Sequence, residues 1–273
     1  MQELLFVAKT GGRVLFGADE PYILAHVDGV GMPEFSLDKN DNPYYEPRVV
    51  TAQIHIFGKT REEMYAKRTA LAKALDSRNQ GLLIYRNDYR EVAAEAYAGM
   101  GTKHDRMLNC LSLDLEFRCL DPIWRTVDSV TYTLAFGERG LTFPFIFPIV
   151  FGNRGYQSTI VNPGDSAAPI RLEVRGESVR PVISCDTTGQ KIIVNRTVGK
   201  HDLLVLNTET GKRRVEIYRN GSSIAENAFG YIDPASTIDL EIPTGRSEWT
   251  YTSGDDSTDA FVQLSYYPRY IGG

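Results

Sequence analysis

The chain has 273 residues, of which 42% are hydrophobic and 24% are charged, and its formal net charge is −5. This length favours two domains, and the composition is that of an ordinary folded protein. The mild acidity argues against a surface that grips nucleic-acid phosphates, because such surfaces need an excess of basic residues. It does not argue against a protein through which nucleic acid merely passes.

The cysteines argue against a protein held by disulfides or zinc, and the apolar runs argue against a membrane-spanning protein. Cys110, Cys119 and Cys185 form no C-x-x-C pair, so we expect buried free thiols in a reducing cytosol rather than a disulfide framework or a zinc site. The most hydrophobic run, residues 141–152, contains prolines and is too short to span a bilayer. Residues 1–13 carry neither a basic start nor a cleavage-like site, so we expect no export signal and no membrane insertion.

The first half of the chain is predicted to combine strands with one helix. Residues 48–58 alternate between apolar and polar side chains, which is typical of a half-buried strand, and Gly58 ends it. Thr60 and Glu63 have the spacing of a capping box, and the predicted helix continues to about Asp76. The apolar stripe of this helix is predicted at Met64, Leu71, Ala72 and Leu75, and later strands at residues 82–86, 92–97 and 110–119.

The second half shows no convincing helix. Residues 168–177 and 237–243 alternate strictly, and Asn220-Gly221 and Gly211 give turn signals between short strands. Short strands at this spacing predict an antiparallel β-sandwich. The expected division of the chain is a first domain, a connecting segment and a second domain at residues 1–137, 138–157 and 158–273.

No residue pattern of an enzyme or of a metal centre is present. The four histidines stand apart, and the chain contains no G-x-S-x-G elbow, phosphate loop or dinucleotide motif. A glycosidase needs two placed carboxylates. The acidic clusters at residues 38–41 and 255–259 have the composition of exposed turns and lack the apolar neighbours that raise a catalytic pKa. We therefore expect no catalytic residue, metal ion or cofactor.

Trp249 and Tyr251 are candidate glycan contacts. They lie at alternate positions of one predicted strand and therefore share a face of it. Paired aromatics on the face of a β-sandwich can stack on sugar rings. The alternative is that both rings cover the core or the facing sheet.

A second group of candidates begins at Tyr45-Glu46-Pro47-Arg48. The acid and the guanidinium could form a reactive pair, or they could form a clasp that fixes the preceding loop or a subunit contact, with Pro47 setting the start of the strand. Arg68 falls on the apolar stripe of the predicted helix, where an arginine needs a carboxylate partner or reaches an interface. Because the chain supplies no nucleophile or second acid, we favour structural roles for Tyr45, Glu46, Arg48 and Arg68.

The succession of several segments resembles the distal tail proteins of long-tailed, non-contractile bacteriophages. The resemblance covers almost the whole chain and lies in the order of the segments rather than in any single one. The segments are HVDGVGMPEFS (26–36), YYEPRVVTAQIHIFG (44–58), TREEMYAKRTALAKAL (60–75), FRCLDPIW (117–124), NPGDSAAPIRLEVRG (162–176), PVISCDTTGQKI (181–192), YRNGSSI (218–224) and YYPRYIGG (266–273).

This resemblance implies a structural protein of the tail tip and not an enzyme. It implies a mainly β chain, in which an α+β belt domain with one helix forms a homohexameric ring around an axial channel for DNA. A galectin-like antiparallel β-sandwich follows as the second domain. The implied partners are further copies of the chain, the major tail tube protein, the tail-associated fibre or hub protein, and receptor-binding proteins. The implied location is the distal tail tip of the virion, after assembly in the host cytoplasm.

The alternative function is a carbohydrate-binding module that recognises host cell-wall polysaccharide through Trp249 and Tyr251. This alternative predicts a monomer, whereas the tail-tip function predicts a ring. A ring of identical subunits needs two different complementary faces on each subunit. The loops at residues 26–48 are candidates for pairing with a neighbouring subunit.

Overall fold

The computed structural model describes residues 2–19, 21–101, 109–135, 157–254 and 260–273, and the backbone of 106–107 and 149–150. The chain divides into two compact units, and each is described by itself. Unit 1 comprises Met1–Val127 and Arg269–Gly273, and unit 2 comprises Asp128–Pro268. Within the described ranges, no helix is long and apolar enough to cross a membrane.

The elements follow one another along the chain in three stretches. The first stretch is β1 (Glu3–Ala8), β2 (Arg13–Phe16), β3 (Tyr22–Asp28), β4 (Phe35–Leu37), β5 (Pro43–Tyr45), β6 (Arg48–Phe57), α1 (Arg61–Ala74), β7 (Gln80–Arg86), β8 (Glu91–Met100), β9 (Arg106–Met107), β10 (Cys110–Cys119) and β11 (Trp124–Arg125). The second is β12 (Val130–Ala135), β13 (Ile149–Val150), β14 (Gln157–Asn162), β15 (Ala168–Arg175), β16 (Val182–Cys185), β17 (Gln190–Ile193), β18 (Leu203–Asn207), β19 (Arg214–Tyr218), β20 (Ala225–Asn227), β21 (Glu241–Ile242), β22 (Gly245–Thr252) and β23 (Phe261–Tyr266). The last strand is β24 (Arg269–Tyr270).

Unit 1 is built on an antiparallel sheet with the strand order β2-β1-β7-β8-β10-β6-β3. The predicted alternation of β6 is confirmed, because Val50, Ala52, Ile54 and Ile56 are all buried. β10 pairs with β6 over its whole length and buries its own apolar side chains. One face of the sheet therefore forms the core of the unit together with α1.

The start of α1 confirms the predicted cap. The Glu63 amide donates to the Thr60 hydroxyl at 3.2 Å, and the Lys59 amide donates to the Glu63 carboxylate at 2.8 Å. These bonds occupy amide groups that the first helical turn leaves without partners in the helix. The helix ends at Ala74, two residues before the predicted end.

The buried stripe of α1 is narrower than the sequence predicts. Met64, Leu71 and Leu75 are buried against the core, as expected. Ala72 is exposed, so its place in the stripe is a wrong prediction. The physical reason is that consecutive helical residues differ by about 100° in direction, so Ala72 points away from the line through Leu71 and Leu75.

Unit 2 confirms the predicted β-sandwich. One sheet has the order β13-β12-β23-β15-β18-β19-β20, and the other has the order β14-β22-β16-β17. Side chains of both sheets meet in one core, to which Leu172 and Leu264 contribute from the first sheet and Ile160 and Ile183 from the second. The helical structure described for this unit is a single 3-10 turn at Phe229–Tyr231.

The predicted turns of unit 2 connect neighbouring strands. Asn220 and Gly221 have φ values of 50° and 72°, and Gly211 has a φ of 79°. Positive φ at both central residues is characteristic of the tight turns that Asn-Gly favours. The turn at Gly211 joins β18 to β19, and the turn at Asn220 joins β19 to β20, both pairs being antiparallel.

The limits of the compact units differ from the expected domain boundaries. The sequence predicts a first domain that ends at residue 137, but β12 pairs with β23 and lies in unit 2. It also predicts a second domain that ends at residue 273, but β24 pairs with β11 and lies in unit 1. Both differences come from pairing between strands far apart in the sequence, which local alternation does not report.

Some sequence predictions concern residues outside the described ranges. Most of the connecting segment 138–157 lies there. The acidic cluster of Asp255, Asp256 and Asp259 also lies there, as does His104.

Candidate functional site

Arg48, the first residue of β6, is a buried centre of hydrogen bonding. It is 3% exposed. Its Nε donates to the carbonyl of Pro122 at 2.7 Å, and its Nη2 donates to the carbonyl of Ile271 at 2.8 Å. Its Nη1 donates to the carbonyls of Gly29 and Gly31 at 2.8 and 2.6 Å. One guanidinium therefore joins three segments that are distant from one another in the sequence.

Trp124 completes this arrangement. The Arg48 guanidinium lies 5.0 Å from the centroid of the indole ring, which is within cation–π range. The indole Nε1 donates to the carbonyl of Val30 at 3.1 Å, and the Gly273 amide donates to the same carbonyl at 2.9 Å. β11 and β24 pair beside these contacts. We name the set of Arg48, Pro122, Trp124, residues 29–31 and residues 269–273 the Arg48 junction.

The junction holds a charged group whose hydrogen-bond acceptors are neutral carbonyls. Burial lowers the pKa of Arg48, and the negative charges of Cys119, when ionised, and Asp121 oppose that shift. The guanidinium stays charged, because arginine side chains keep their proton in proteins. Burial raises the pKa of the neighbouring Cys119 thiol to about 12. Cys119 is therefore a neutral buried thiol at physiological pH, and free, as the sequence predicts.

Gly29 allows the loop to approach β6. Its φ is 77°, and a Cβ atom placed on it would lie 2.0 Å from the carbonyl oxygen of Val49. A residue with a side chain would therefore displace the loop from Arg48. The two glycines of the Asp28-Gly-Val-Gly stretch are a sequence signal for such a loop, but nothing local in the sequence indicates Arg48 as its partner.

Glu46 and Arg48 do not form the acid–guanidinium pair that their spacing allows. The Ser36 hydroxyl donates to the Glu46 carboxylate, and the Glu46 amide donates to the carbonyl of Glu34 at 2.9 Å. Tyr45 is exposed at the end of β5. The hypothesis of a reactive Glu46–Arg48 pair is therefore wrong in this structure. Tyr45 in β5 and Glu46 after it precede β6, whereas Arg48 belongs to the junction.

β4 and β5 form a separate two-stranded hairpin with an exposed apolar face. Phe35 lies opposite Tyr45, and Leu37 lies opposite Pro43, so the four side chains share one face. Phe35 is 68% exposed and Leu37 is 56% exposed. Contiguous exposed apolar side chains mark interaction sites in folded proteins. We name residues 32–46, which contain this face, the hairpin.

The tip of the hairpin confirms that the acidic residues at 38–41 form a turn. The amides of Asn40 and Asn42 donate to the Asp38 carboxylate at 2.7 and 2.9 Å. These bonds lower the pKa of Asp38, and the bond from the Asn42 amide contributes most. Asp41 has a φ of 60°, a conformation common for aspartate in turns.

Arg68 lies half-buried on α1. It makes no hydrogen bond or ion pair with another described residue. Its neighbour Lys67 donates to the carbonyl of Phe57 at 2.7 Å and pairs with Glu63 at 3.0 Å. Tyr65, one helical turn earlier, is exposed. The carboxylate partner that the sequence allows for Arg68 is therefore not found among the described residues.

The hypothesis that Trp249 and Tyr251 contact glycans is wrong, because both side chains are 0% exposed. The Trp249 Nε1 donates to the Ser247 hydroxyl at 2.9 Å, and the hydroxyls of Tyr251 and Ser178 share a hydrogen bond at 2.6 Å. β22 lies between β14 and β16, and this face of it packs into the sandwich core. Trp249 and Tyr251 are core residues, which is the alternative role that the sequence allows.

Among the residues that the structure describes, no three His, Cys, Asp or Glu side chains are grouped to hold a metal ion. His55 and Ser112 oppose each other on β6 and β10, with 2.9 Å between the His55 Nδ1 and the Ser112 hydroxyl. Such a pair on the polar face of a sheet is a cross-strand hydrogen bond of ordinary kind.

Neither a family model nor a curated protein sequence matches the chain. Solved structures match it over nearly its whole length, among them the following three. SPP1 Dit, described as a paradigm of the hub adsorption apparatus in phages that infect Gram-positive bacteria, is 9% identical with a TM-score of 0.67, covering 97% of this chain and 98% of that chain.

Two structures of the phage P2 baseplate in its activated conformation also match the chain. The structure with Ca is 14% identical with a TM-score of 0.55, and the match covers 97% of each chain. The structure with Sr is 13% identical with a TM-score of 0.54, covering 97% of this chain and 98% of that chain. The chain therefore has the β-rich fold of these phage hub and baseplate components, as its sequence resemblance implies.

Proposed function

We propose that the chain is a structural subunit of a bacteriophage tail tip, where it joins the tail tube to the adsorption apparatus. The observation that carries this proposal is the fold shared with SPP1 Dit over 97% of this chain and 98% of that chain. A match that includes both compact units is more specific than a match to a single β-sandwich. The matches to the two P2 baseplate structures support the same assignment.

In this proposal, unit 1 is the belt domain of a homohexameric ring, and unit 2 is a galectin-like β-sandwich. A closed ring of identical subunits needs two different faces that complement each other. The exposed apolar face of the hairpin is a candidate for one of them. The net charge of −5 suits an axial channel, because an acidic protein does not neutralise and retain the phosphates of passing DNA.

The proposed ring contacts the major tail tube protein on one side and the tail-associated fibre or hub protein on the other. It also supports receptor-binding proteins. The proposed location is the distal tail tip of the virion, reached by assembly in the host cytoplasm. The proposed role is mechanical and structural, without catalysis or a cofactor.

A carbohydrate-binding function does not have comparable support. Its candidate platform, Trp249 and Tyr251, lies in the core of unit 2. Binding through these side chains would require the sandwich to open. We therefore do not retain it as a second proposed function.

The proposed function is tested by measuring the mass of the purified chain in solution and imaging it by negative stain. We expect a particle of six subunits with a central opening, formed by the chain alone or with its tail-tube partner. A strict monomer at high concentration, without rings even beside tail partners, would refute the ring. Polysaccharide binding by the monomer would instead favour the carbohydrate-binding alternative.

A further inference from the structure

The hairpin precedes β6 in the chain, and α1 follows it. The hairpin precedes Arg48, where β6 begins, and β6 has 10 residues. At about 3.3 Å per residue, the two ends of this strand are separated by about 30 Å. The middle of α1 is held at the far end, because Lys67 donates to the Phe57 carbonyl at 2.7 Å. Tyr22, which pairs with Ile56 at that end, donates through its hydroxyl to the Lys67 carbonyl at 3.0 Å.

The hairpin does not cover the helix of its own chain, because Phe35, Leu37 and Tyr65 are all exposed. A contact that covers these exposed side chains would therefore join two copies of the chain.

The two surfaces complement each other in charge. The hairpin carries four carboxylates and one lysine, a net charge of −3; they are Glu34, Asp38, Asp41, Glu46 and Lys39. Residues 59–73 carry five basic and two acidic side chains, a net charge of +3; they are Lys59, Arg61, Lys67, Arg68, Lys73, Glu62 and Glu63. Opposite potentials of this kind steer association and select the correct partner.

The two surfaces also complement each other in polarity. The hairpin presents Phe35 and Leu37, which are among the most exposed apolar side chains described. The outer surface of α1 presents the exposed ring of Tyr65 and exposed alanines beside the half-buried Arg68. Arg68 has no partner among the described residues of its own chain. A neighbouring hairpin would supply both an apolar cover for this surface and a carboxylate for Arg68.

We propose that the hairpin of one copy docks on the outer surface of α1 of the next copy, and that this contact builds the ring. The contact is heterologous, because each copy gives its hairpin to one neighbour and its helix to the other. This inference rests on the proposed function and adds the location of the subunit contact. Arg68 pairs across the contact with a carboxylate of the hairpin.

Two variants of the full chain test the contact, one for each surface. Phe35→Ser with Leu37→Ser removes the apolar face of the hairpin, and Arg68→Glu with Lys73→Glu reverses the charge of the helix surface. We expect each variant to raise the concentration needed for assembly at least about tenfold, a change of about 1.4 kcal/mol in association free energy. Matched controls are Tyr89→Ser, an exposed aromatic in another turn, and Lys191→Glu in unit 2.

Mixing the two variants in equal amounts gives the sharpest result. The helix variant keeps an intact hairpin, and the hairpin variant keeps an intact helix, so one working contact remains per pair. We expect the mixture to form dimers and nothing larger in mass photometry, while each variant alone stays monomeric. Circular dichroism and thermal melting establish that both variants are folded.

Three outcomes overturn the proposal in different ways. If the unmodified chain forms rings and both variants do so at the same concentration, the contact lies elsewhere, and the ring itself stands. If only the hairpin variant is affected and the mixture gives no dimer, the hairpin binds another surface or another protein. If the unmodified chain forms no ring with its tail partners, the docking contact and the ring of the proposed function both fail.

Discussion

The Arg48 junction and the hairpin adjoin in the sequence, yet they bury opposite kinds of group. The junction encloses a guanidinium, whose donors meet four main-chain carbonyls. The hairpin exposes Phe35 and Leu37 to solvent. A buried charge with satisfied donors indicates a role in folding, whereas an exposed apolar face indicates a partner. The residues that stabilise unit 1 are therefore distinct from the residues available for association.

The largest expected effect is that of Arg48→Ala on the stability of unit 1. The substitution leaves buried carbonyls without donors and removes the contact with Trp124. We expect the free energy of unfolding to fall by about 3–5 kcal/mol, measured by urea denaturation. Arg48→Lys should lose less stability, because it keeps the positive charge. It should still be less stable than the unmodified chain, because lysine lacks the planar fork of donors. A loss below about 1 kcal/mol would show that Arg48 does not hold the junction together.

The next effect concerns the last residues of the chain. Truncation after Pro268 removes β24, the Ile271 carbonyl and the Gly273 amide from the junction. We expect unit 1 to lose about 2–3 kcal/mol of stability, since several hydrogen bonds of about 1 kcal/mol each are lost. Hydrogen exchange should show the change in β11 and at residues 29–31. Unchanged protection of these amides would contradict this role.

A third prediction uses the buried thiol beside Arg48. Burial raises the pKa of Cys119 from about 9 to about 12. The unfolded chain therefore releases this proton at lower pH than the folded chain, so stability falls as pH rises between these two values. We expect a slope of up to about 1.4 kcal/mol per pH unit. The comparison with Cys119→Ala isolates this contribution, and equal slopes for the two proteins would contradict it.

The smallest effect is that of Phe35→Ser with Leu37→Ser on the unassembled chain. Both side chains are already exposed, so we expect the free energy of unfolding to change by less than about 0.5 kcal/mol. The measurement is urea denaturation at a concentration below assembly, with Leu4→Ser, a core substitution, as the destabilised reference. A loss comparable to that of Arg48→Ala would show that the hairpin stabilises unit 1 as the junction does. It would contradict the distinction between the two regions.

Much of the local structure could be predicted because its causes are local. The alternation of β6 and β10, the Thr60 cap and the Asn220-Gly221 turn depend on neighbouring residues, and the structure contains them all. The candidate site was predictable only in part. Arg48 stands out in the sequence, but its acceptors lie at residues 29, 31, 122 and 271.

The same dependence on residues far apart in the sequence explains where the structure differs from the predictions. The alternation around Trp249 and Tyr251 places both rings on one face, but it does not say whether that face meets solvent or another sheet. The compact units differ from the expected domain boundaries for the same reason, because β12 and β24 pair with distant strands.

The sequence by itself determined the elements, the mainly β class and the polar or apolar character of each face. Periodicity and capping act over a few residues and can be seen in any short stretch of the chain. Only the tertiary structure decided which faces are buried, that residues 269–273 belong to unit 1, and that Arg48 binds carbonyls instead of Glu46. These outcomes depend on pairing between distant strands, and burial then decides which charges and apolar groups need a partner.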